Sequence, residues 1–129
     1  MTVPLLRSQA AILVVDDDPD ILDLVEILVS EAGLQPHCHA DGDSALAALD
    51  RGDCEPALAL LDILMPVMDG HELADALRQR RPQLPILFVS GFSPRRVSIS
   101  DEGGPTALLH KPFRPQQLLE QIRLLLEQV

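Results

Sequence analysis

The fold of this chain is decided by Leu58-Ala59-Leu60-Leu61-Asp62-Ile63-Leu64-Met65-Pro66-Val67-Met68-Asp69-Gly70. Four apolar residues lead into Asp62, and the turn residues Pro66 and Gly70 follow it. A short apolar run that ends in turn residues is typical of a strand buried on both faces, as in parallel sheets. We therefore predict that Asp62 stands at the carboxyl end of a central strand, where open parallel sheets form their binding crevices.

Outward from this stretch, strand patterns alternate with helical patterns along the chain. Strands are predicted over 11–15, 35–40, 58–62, 85–89 and 107–110. Helices are predicted from Pro19 to about Gly33, from a cap at Asp43 or Ser44 to near Gly52, from Asp69 onward, and from Pro115 onward, with a short or frayed fourth helix within 93–105. The alternation predicts an α/β fold with right-handed crossovers and a doubly wound parallel sheet covered by helices on both faces. The first helix carries its apolar residues at helical spacing, namely Ile21, Leu24, Val25, Leu28 and Val29.

Composition narrows the class of protein. The chain has 129 residues, 47% of them hydrophobic, which is enough for one domain with a core, predicted over 10–129 after a tail at 1–9. No apolar run approaches the roughly 18 residues that span a bilayer, and no signal peptide is recognisable. Cys38 and Cys54 do not form a disulfide framework, so we expect a cytoplasmic protein. The net charge of −10 argues against direct nucleic-acid binding.

Polar side chains collect where the predicted strands end. Asp16 and Asp17 follow the first strand, Asp62 ends the third, Ser90 follows the fourth and Lys111 follows the fifth. The carboxyl ends of parallel strands share one edge, so these five side chains are predicted to meet there. Three adjacent carboxylates repel one another unless a cation joins them, and Mg²⁺ prefers carboxylate and phosphate oxygens. Among ten basic residues Lys111 is the only lysine. A carboxylate nucleophile, a divalent metal and anion-binding groups suit phosphoryl transfer to an aspartate.

Four motifs then carry a resemblance to a known family. They are Val14-Val15-Asp16-Asp17, the stretch from Asp62 to Gly70, Val89-Ser90-Gly91 and Lys111-Pro112-Phe113. Over residues 10–129 the chain resembles the receiver domain of two-component response regulators, of which the bacterial chemotaxis regulator is a single-domain example. The resemblance implies a flavodoxin-like, five-stranded sheet of order 2-1-3-4-5.

The resemblance also implies roles for the motif residues. Asp62 would accept a phosphoryl group, Lys111 would pair with a phosphoryl oxygen, Ser90 would hydrogen-bond it, and Gly91 would leave room for its approach. The Lys111-Pro112 peptide bond is expected to be cis.

A metal site is implied at the same place. Asp17 would bind Mg²⁺ directly, Asp16 would help, often through water, and Asp62 and the backbone carbonyl of Leu64 would complete the protein ligands.

The implied function is a phosphorylation-dependent switch in a two-component system or phosphorelay. The expected phosphodonor is a sensor histidine kinase or a histidine phosphotransfer protein, and the expected output is an unidentified protein target. A homodimer through the face of the fourth helix, fifth strand and last helix is possible, and no membrane partner is expected. The chain would catalyse only its own phosphorylation and dephosphorylation. The alternative is a receiver-like binding module that acts without phosphorylation; an aspartate-nucleophile phosphatase is disfavoured because Leu64 stands where such enzymes need a second acid.

Some positions depart from the family pattern. Leu108 stands where the family often has an aromatic residue that moves with the hydroxyl, which leads to the hypothesis that 93–105 form a mobile output element. Leu64 and Phe92 flank the site with apolar bulk, which suggests slow self-dephosphorylation. His37 and His39 share one strand face, but no third ligand for a zinc site is evident. His71 and His110 are expected at the surface or at strand ends.

Overall fold

The protein folds as an alternation of strands and helices in a computed structural model that describes residues 10–91 and 104–127. The strands are β1 (Ala11–Val15), β2 (Gln35–His39), β3 (Leu58–Asp62), β4 (Ile86–Ser90) and β5 (Thr106–His110). The helices are α1 (Pro19–Glu31), α2 (Gly42–Arg51), α3 (Gly70–Arg80) and α4 (Pro115–Glu127). None of these helices is both long enough and apolar enough to cross a membrane.

All five strands are parallel and form one sheet of order β2-β1-β3-β4-β5. This confirms the predicted doubly wound α/β fold and its flavodoxin-like strand order. Each predicted strand lies within one residue of the observed one, and β4 extends to include Ser90.

The two faces of the sheet carry separate cores, which explains the continuous apolar runs of β1, β3 and β4. On one face Ile12, Val14 and Leu60 pack under α1 and α4. On the other face Leu13 and Leu61 pack under α2 and α3. Since successive strand residues point to opposite faces, a strand buried on both sides must be apolar at every position.

Aspartates cap three of the helices. Asp18 and Asp69 cap α1 and α3, and Asp69 forms a capping box with Glu72. The predicted cap of α2 is wrong, because Asp41 rather than Asp43 or Ser44 occupies that position. The Asp41 carboxylate accepts a hydrogen bond from the Ser44 backbone N–H at 2.7 Å, so the helix begins two residues before Ser44.

Several expectations fall on residues outside the described ranges. These are the tail at 1–9, Phe92, and most of the short fourth helix and output element at 93–105. Within that last segment, Gly104 and Pro105 are not helical and lead into β5. The expectations for the rest of it stay predictions.

Arg78 ties α3 to the amino ends of β4 and β5. Its guanidinium donates to the carbonyl of Leu84 at 3.0 and 3.1 Å, to the carbonyl of Pro105 at 2.9 Å, and to the Thr106 hydroxyl at 3.0 Å. The planar group therefore serves acceptors on two chain segments at once. This contact fixes the entry into β5, whose other end leads to Lys111.

We expect Arg78→Met to lower the free energy of unfolding by about 2 kcal/mol, because the Leu84 carbonyl loses the guanidinium donor while the Pro105 carbonyl keeps only the Ile86 backbone N–H. Arg80→Met is the matched control in the same helix. Arg80 pairs with Asp50 at the surface, and such pairs contribute about 0–1 kcal/mol. Urea unfolding measures both variants, and equal losses would contradict the role given to Arg78.

Gly70 closes the connection from β3 to α3. Its backbone N–H donates to the Ile63 carbonyl at 2.9 Å. A Cβ atom at this position would lie 2.5 Å from the Asp62 carbonyl oxygen and 2.9 Å from Ile63 Cα. Because these obstacles are backbone atoms, the residue that follows the loop must be glycine.

Gly70→Ala is accordingly expected to destabilise the protein by about 1–3 kcal/mol through overpacking against the end of β3. The comparison variant is Gly91→Ala, whose added Cβ would meet only the Lys111 Cδ atom at 3.9 Å. Thermal and urea unfolding of both proteins would expose the difference; a Gly70→Ala protein as stable as Gly91→Ala would refute the close packing.

Candidate functional site

The carboxyl edge of the sheet brings together charged residues from three strand ends. Lys111 Nζ lies 3.0 Å from Asp16 Oδ2 and 3.6 Å from Asp62 Oδ1. One carboxylate oxygen from each of Asp16, Asp17 and Asp62 lies within 4.8 Å of the others. The four side chains predicted to meet at this edge therefore do so.

Ser90, the fifth predicted member, is fully buried at the end of β4. Its hydroxyl donates to the Gly91 carbonyl at 3.4 Å, which is a long hydrogen bond. Its own carbonyl accepts from the Lys111 backbone N–H at 2.6 Å. Ser90 thus holds the start of the Lys111 loop through its backbone, while its hydroxyl is only weakly engaged.

The two buried aspartates have different surroundings. Asp16 is fully buried, and both of its oxygens have partners, since Oδ1 accepts from the Asp18 backbone N–H at 2.9 Å and Oδ2 accepts from Lys111. Asp62 is 4% exposed, whereas Asp17 is exposed. Asp17 is therefore the more accessible of the two acids that follow β1, and the ligand roles expected for Asp16 and Asp17 stay predictions.

Burial raises the pKa of Asp62 to about 6, and the neighbouring charge of Asp16 adds to the effect. Lys111 and the backbone N–H of Leu64 act in the opposite direction and favour the carboxylate. The pKa of Lys111 is also raised, because its hydrogen bond to Asp16 and the nearby carboxylates outweigh the effect of its burial. The site thus sets three acids against one ammonium, an excess of negative charge that a divalent cation would neutralise.

The donor set fits a hard cation. Among residues 10–91 and 104–127, Asp16, Asp17 and Asp62 are the only group of three or more acidic, histidine or cysteine side chains close enough to share an ion. Carboxylate oxygens with exposure on one side are the ligands that Mg²⁺ uses while it keeps some waters. His37 and His39 form no such group, and His39 Nδ1 lies 2.7 Å from the Ser44 hydroxyl.

A cavity of about 550 Å³ opens beside Lys111. Apolar side chains form most of its lining, which consists of Ile21, Leu24, Gly91, Lys111, Pro112 and Phe113. Gly91 leaves space there, and the Lys111-Pro112 peptide bond is cis, as predicted.

Leu24 is one of the apolar residues at helical spacing in α1, but its side chain is 41% exposed, and only Val25 and Val29 are buried in that helix.

Leu108 lies opposite Phe88 in the β4–β5 register and is partly buried. The ring of His71 contacts Phe88 with a centroid distance of 4.8 Å and an interplanar angle of 42°. His71 is therefore partly exposed, with its ring against a residue of the second core, whereas His110 is exposed at a strand end as expected. Helical periodicity could have suggested this, because His71 lies three residues before the buried Ala74, on the same side of α3.

Comparisons with known proteins identify the family of this chain. A family model described as the response regulator receiver domain matches residues 12–123. Transcriptional regulatory protein GltR of Pseudomonas aeruginosa is 38% identical over 120 residues, covering 90% of this chain and 48% of GltR. Transcriptional regulatory protein TcrA of Mycobacterium tuberculosis is 33% identical over 123 residues, covering 92% of this chain and 46% of TcrA. The chain spans about half the length of these curated relatives.

Solved structures give the same result. The CheY-like response regulator receiver domain protein of Methanospirillum hungatei superposes with a TM-score of 0.81 at 32% identity, covering 94% of this chain and 96% of that one. The chemotaxis protein CheY4 of Vibrio cholerae gives a TM-score of 0.77 at 30% identity, covering 92% and 99% of the two chains. The match to the family model and the shared fold lead to one conclusion: this chain belongs to the response regulator receiver domain family.

Proposed function

We propose that this receiver domain is a phosphorylation-dependent switch in which Asp62 accepts a phosphoryl group from the phosphohistidine of a sensor histidine kinase or a histidine phosphotransfer protein. The observation that carries the proposal is the position of Lys111 Nζ, 3.0 Å from Asp16 and 3.6 Å from Asp62, within a cluster of three carboxylates. An ammonium placed there can pair with a phosphoryl oxygen on Asp62.

The transfer step is a displacement at phosphorus. A carboxylate oxygen of Asp62 forms the new P–O bond as the P–N bond to the donor imidazole breaks, and the electron pair of that bond stays on the imidazole nitrogen, which takes up a proton. Lys111 and the Ser90 hydroxyl stabilise the charge on the phosphoryl oxygens. Asp16, Asp17 and Asp62, with the Leu64 carbonyl as a further ligand, would hold Mg²⁺, which would supply neutralisation of the negative charge at the site.

The switch follows from a change in the hydrogen-bond and ion-pair partners of Lys111 and Ser90. Phosphorylation places new acceptor oxygens beside Lys111 and Ser90, and the long Ser90–Gly91 hydrogen bond is easily given up for one of them. A state in which both groups turn to the phosphoryl group is then favoured over the present one. The surface that changes lies around the ends of β4 and β5, where an output protein or a second copy of the chain would read it.

The apolar cavity beside Lys111 suits the phosphodonor, because its lining adjoins the acceptor aspartate through Lys111 and Gly91. The receiver itself is proposed to avoid nucleic acid, since its net charge is −10. Free Cys38 and Cys54 thiols accord with a cytoplasmic location. Catalysis would be confined to the domain's own phosphorylation and dephosphorylation.

Incubation with acetyl phosphate and Mg²⁺ is expected to add one phosphoryl group to the wild-type chain, detected by intact mass. Asp62→Asn should gain none, because the amide is not a nucleophile of comparable strength. Lys111→Met should slow the reaction on the order of 100-fold, since it removes a preorganised charge from the transferred group. The absence of labelling in wild type with any donor would favour a binding module that acts without phosphorylation.

A second expectation concerns pH in the absence of divalent metal. The raised pKa of Asp62, about 6 against an ordinary 3.8, means that the folded state binds this proton more tightly than the unfolded chain does. The resulting stabilisation is complete below about pH 4 and is lost as the pH rises through about 6.

In EDTA, Asp62→Asn should therefore match wild type near pH 4 and exceed its free energy of unfolding by about 2 kcal/mol above pH 7. Urea unfolding across this range tests the difference. Adding Mg²⁺ at about pH 7.5 should stabilise wild type more than the variant. A constant difference between the two proteins at every pH would contradict the titration of Asp62.

A further inference from the structure

Val67 holds an unfavourable backbone conformation in the loop that follows Asp62. Its φ angle is +71°, and Val67 is the only non-glycine residue with positive φ in the described part of the chain. The Met68 backbone N–H donates to the Pro66 carbonyl at 2.8 Å, which makes a three-residue γ-turn centred on Val67. A β-branched residue rarely adopts positive φ, because its branched side chain crowds the backbone there.

No packing within the described chain offsets this cost. Val67 is 97% exposed, and Leu64 in the same loop is 61% exposed. Asparagine or glycine would adopt the same conformation with less strain. A strained, exposed apolar side chain at a functional site therefore calls for a contact outside this chain.

The loop lies on the other side of Asp62 from the cavity beside Lys111. The connection from β3 leads to α3, which packs on the face shared with α2, whereas Ile21 and Phe113 of the cavity belong to the face of α1 and α4. Asp62 is consequently flanked by an exposed apolar surface on each face of the sheet.

We propose that Leu64 and Val67, here called the loop anchor, form an apolar contact for the protein phosphodonor, on the opposite side of Asp62 from the Lys111 cavity. The proposal rests on the function proposed for Asp62. It adds a second contact that a small phosphodonor cannot use.

Charge defines the chemistry of that partner. The carboxyl edge of the sheet carries several exposed acids, namely Asp17, Asp18, Asp20, Asp41 and Asp43. The arginines of α2 and α3 lie near the carboxyl ends of those helices, at the opposite edge of the sheet; they are Arg51, Arg78 and Arg80. A second copy of this chain docked through the same face would bring like charges together, so the fitting occupant is an apolar surface with a basic rim around its phosphohistidine.

Three substitutions separate apolar contact from backbone strain. Val67→Thr keeps the shape and the β-branched strain but adds a hydroxyl, so transfer from the protein donor should slow about fivefold with an unchanged unfolding midpoint. Val67→Asn should raise the unfolding midpoint and slow transfer about tenfold or more. Val67→Leu, which keeps an apolar side chain, should transfer at close to the wild-type rate.

The probe is the protein of the source genome that transfers fastest to wild type, either a sensor kinase phosphorylated with radiolabelled ATP or a histidine phosphotransfer protein phosphorylated by such a kinase. Acetyl phosphate serves as the small donor, and all three variants should accept from it at the wild-type rate. Transfer from the protein donor should also weaken steeply with added salt.

Equal rates of protein transfer to wild type, Val67→Thr and Val67→Asn would overturn the loop anchor. So would labelling by acetyl phosphate without transfer from any kinase or phosphotransfer protein, which would leave Asp62 as a phosphoacceptor without a protein donor. Failure of every donor, small or protein, to label Asp62 would instead overturn the proposed function on which the loop anchor rests.

Discussion

The site depends on one ammonium group held among three carboxylates. Lys111 contacts Asp16 at 3.0 Å and Asp62 at 3.6 Å, and both acids are almost completely buried. Burying two charges is costly unless they are paired and hydrogen-bonded, so the position of Lys111 is a condition for keeping Asp62 at the end of a buried strand. The pairing remains incomplete, because the pKa of Asp62 is still raised to about 6. The site retains negative charge that a divalent cation or a change in protonation must balance.

Much of the remaining structure serves to hold these groups in place. The parallel sheet brings β1, β3 and β5 to one edge, and the two cores on its faces hold those strands rigidly. Asp16 links the site to α1 through the Asp18 backbone N–H, and Gly70 lets α3 start directly against the end of β3. Arg78 fixes the far end of β5 and so supports the strand that delivers Lys111. Rigid elements of this kind can hold a reacting carboxylate within the narrow limits that phosphoryl transfer requires.

The surfaces around the site expose large apolar side chains, whereas the interior of the site is buried. Leu24 on one face of the sheet and Leu64 and Val67 on the other remain exposed, although all three are large apolar residues. Leu108, an aliphatic residue, stands in β5 where the family often has an aromatic one, and it is partly buried against the second core. The His71 ring packs nearby in the same layer, against Phe88. This chain thus keeps the fold and the acidic site of the family, while the apolar residues that a partner would contact around the site are particular to this chain.

The sequence by itself determined the strands, the sheet type, and four side chains that meet at the site, because buried parallel strands require uninterrupted apolar runs and their ends share one edge. Tertiary structure decided the features that depend on contacts between residues far apart in the chain or on a choice among neighbouring side chains. Helical spacing placed Leu24 with the buried residues of α1, but only packing against the sheet and α4 determines which part of an apolar stripe is covered. The cap of α2 depended on which nearby side chain accepts a backbone N–H of the first turn, and in the folded chain the Asp41 carboxylate accepts that of Ser44. The distances from Lys111 to its two aspartates join residues up to 95 positions apart, and only the folded chain brings such residues together.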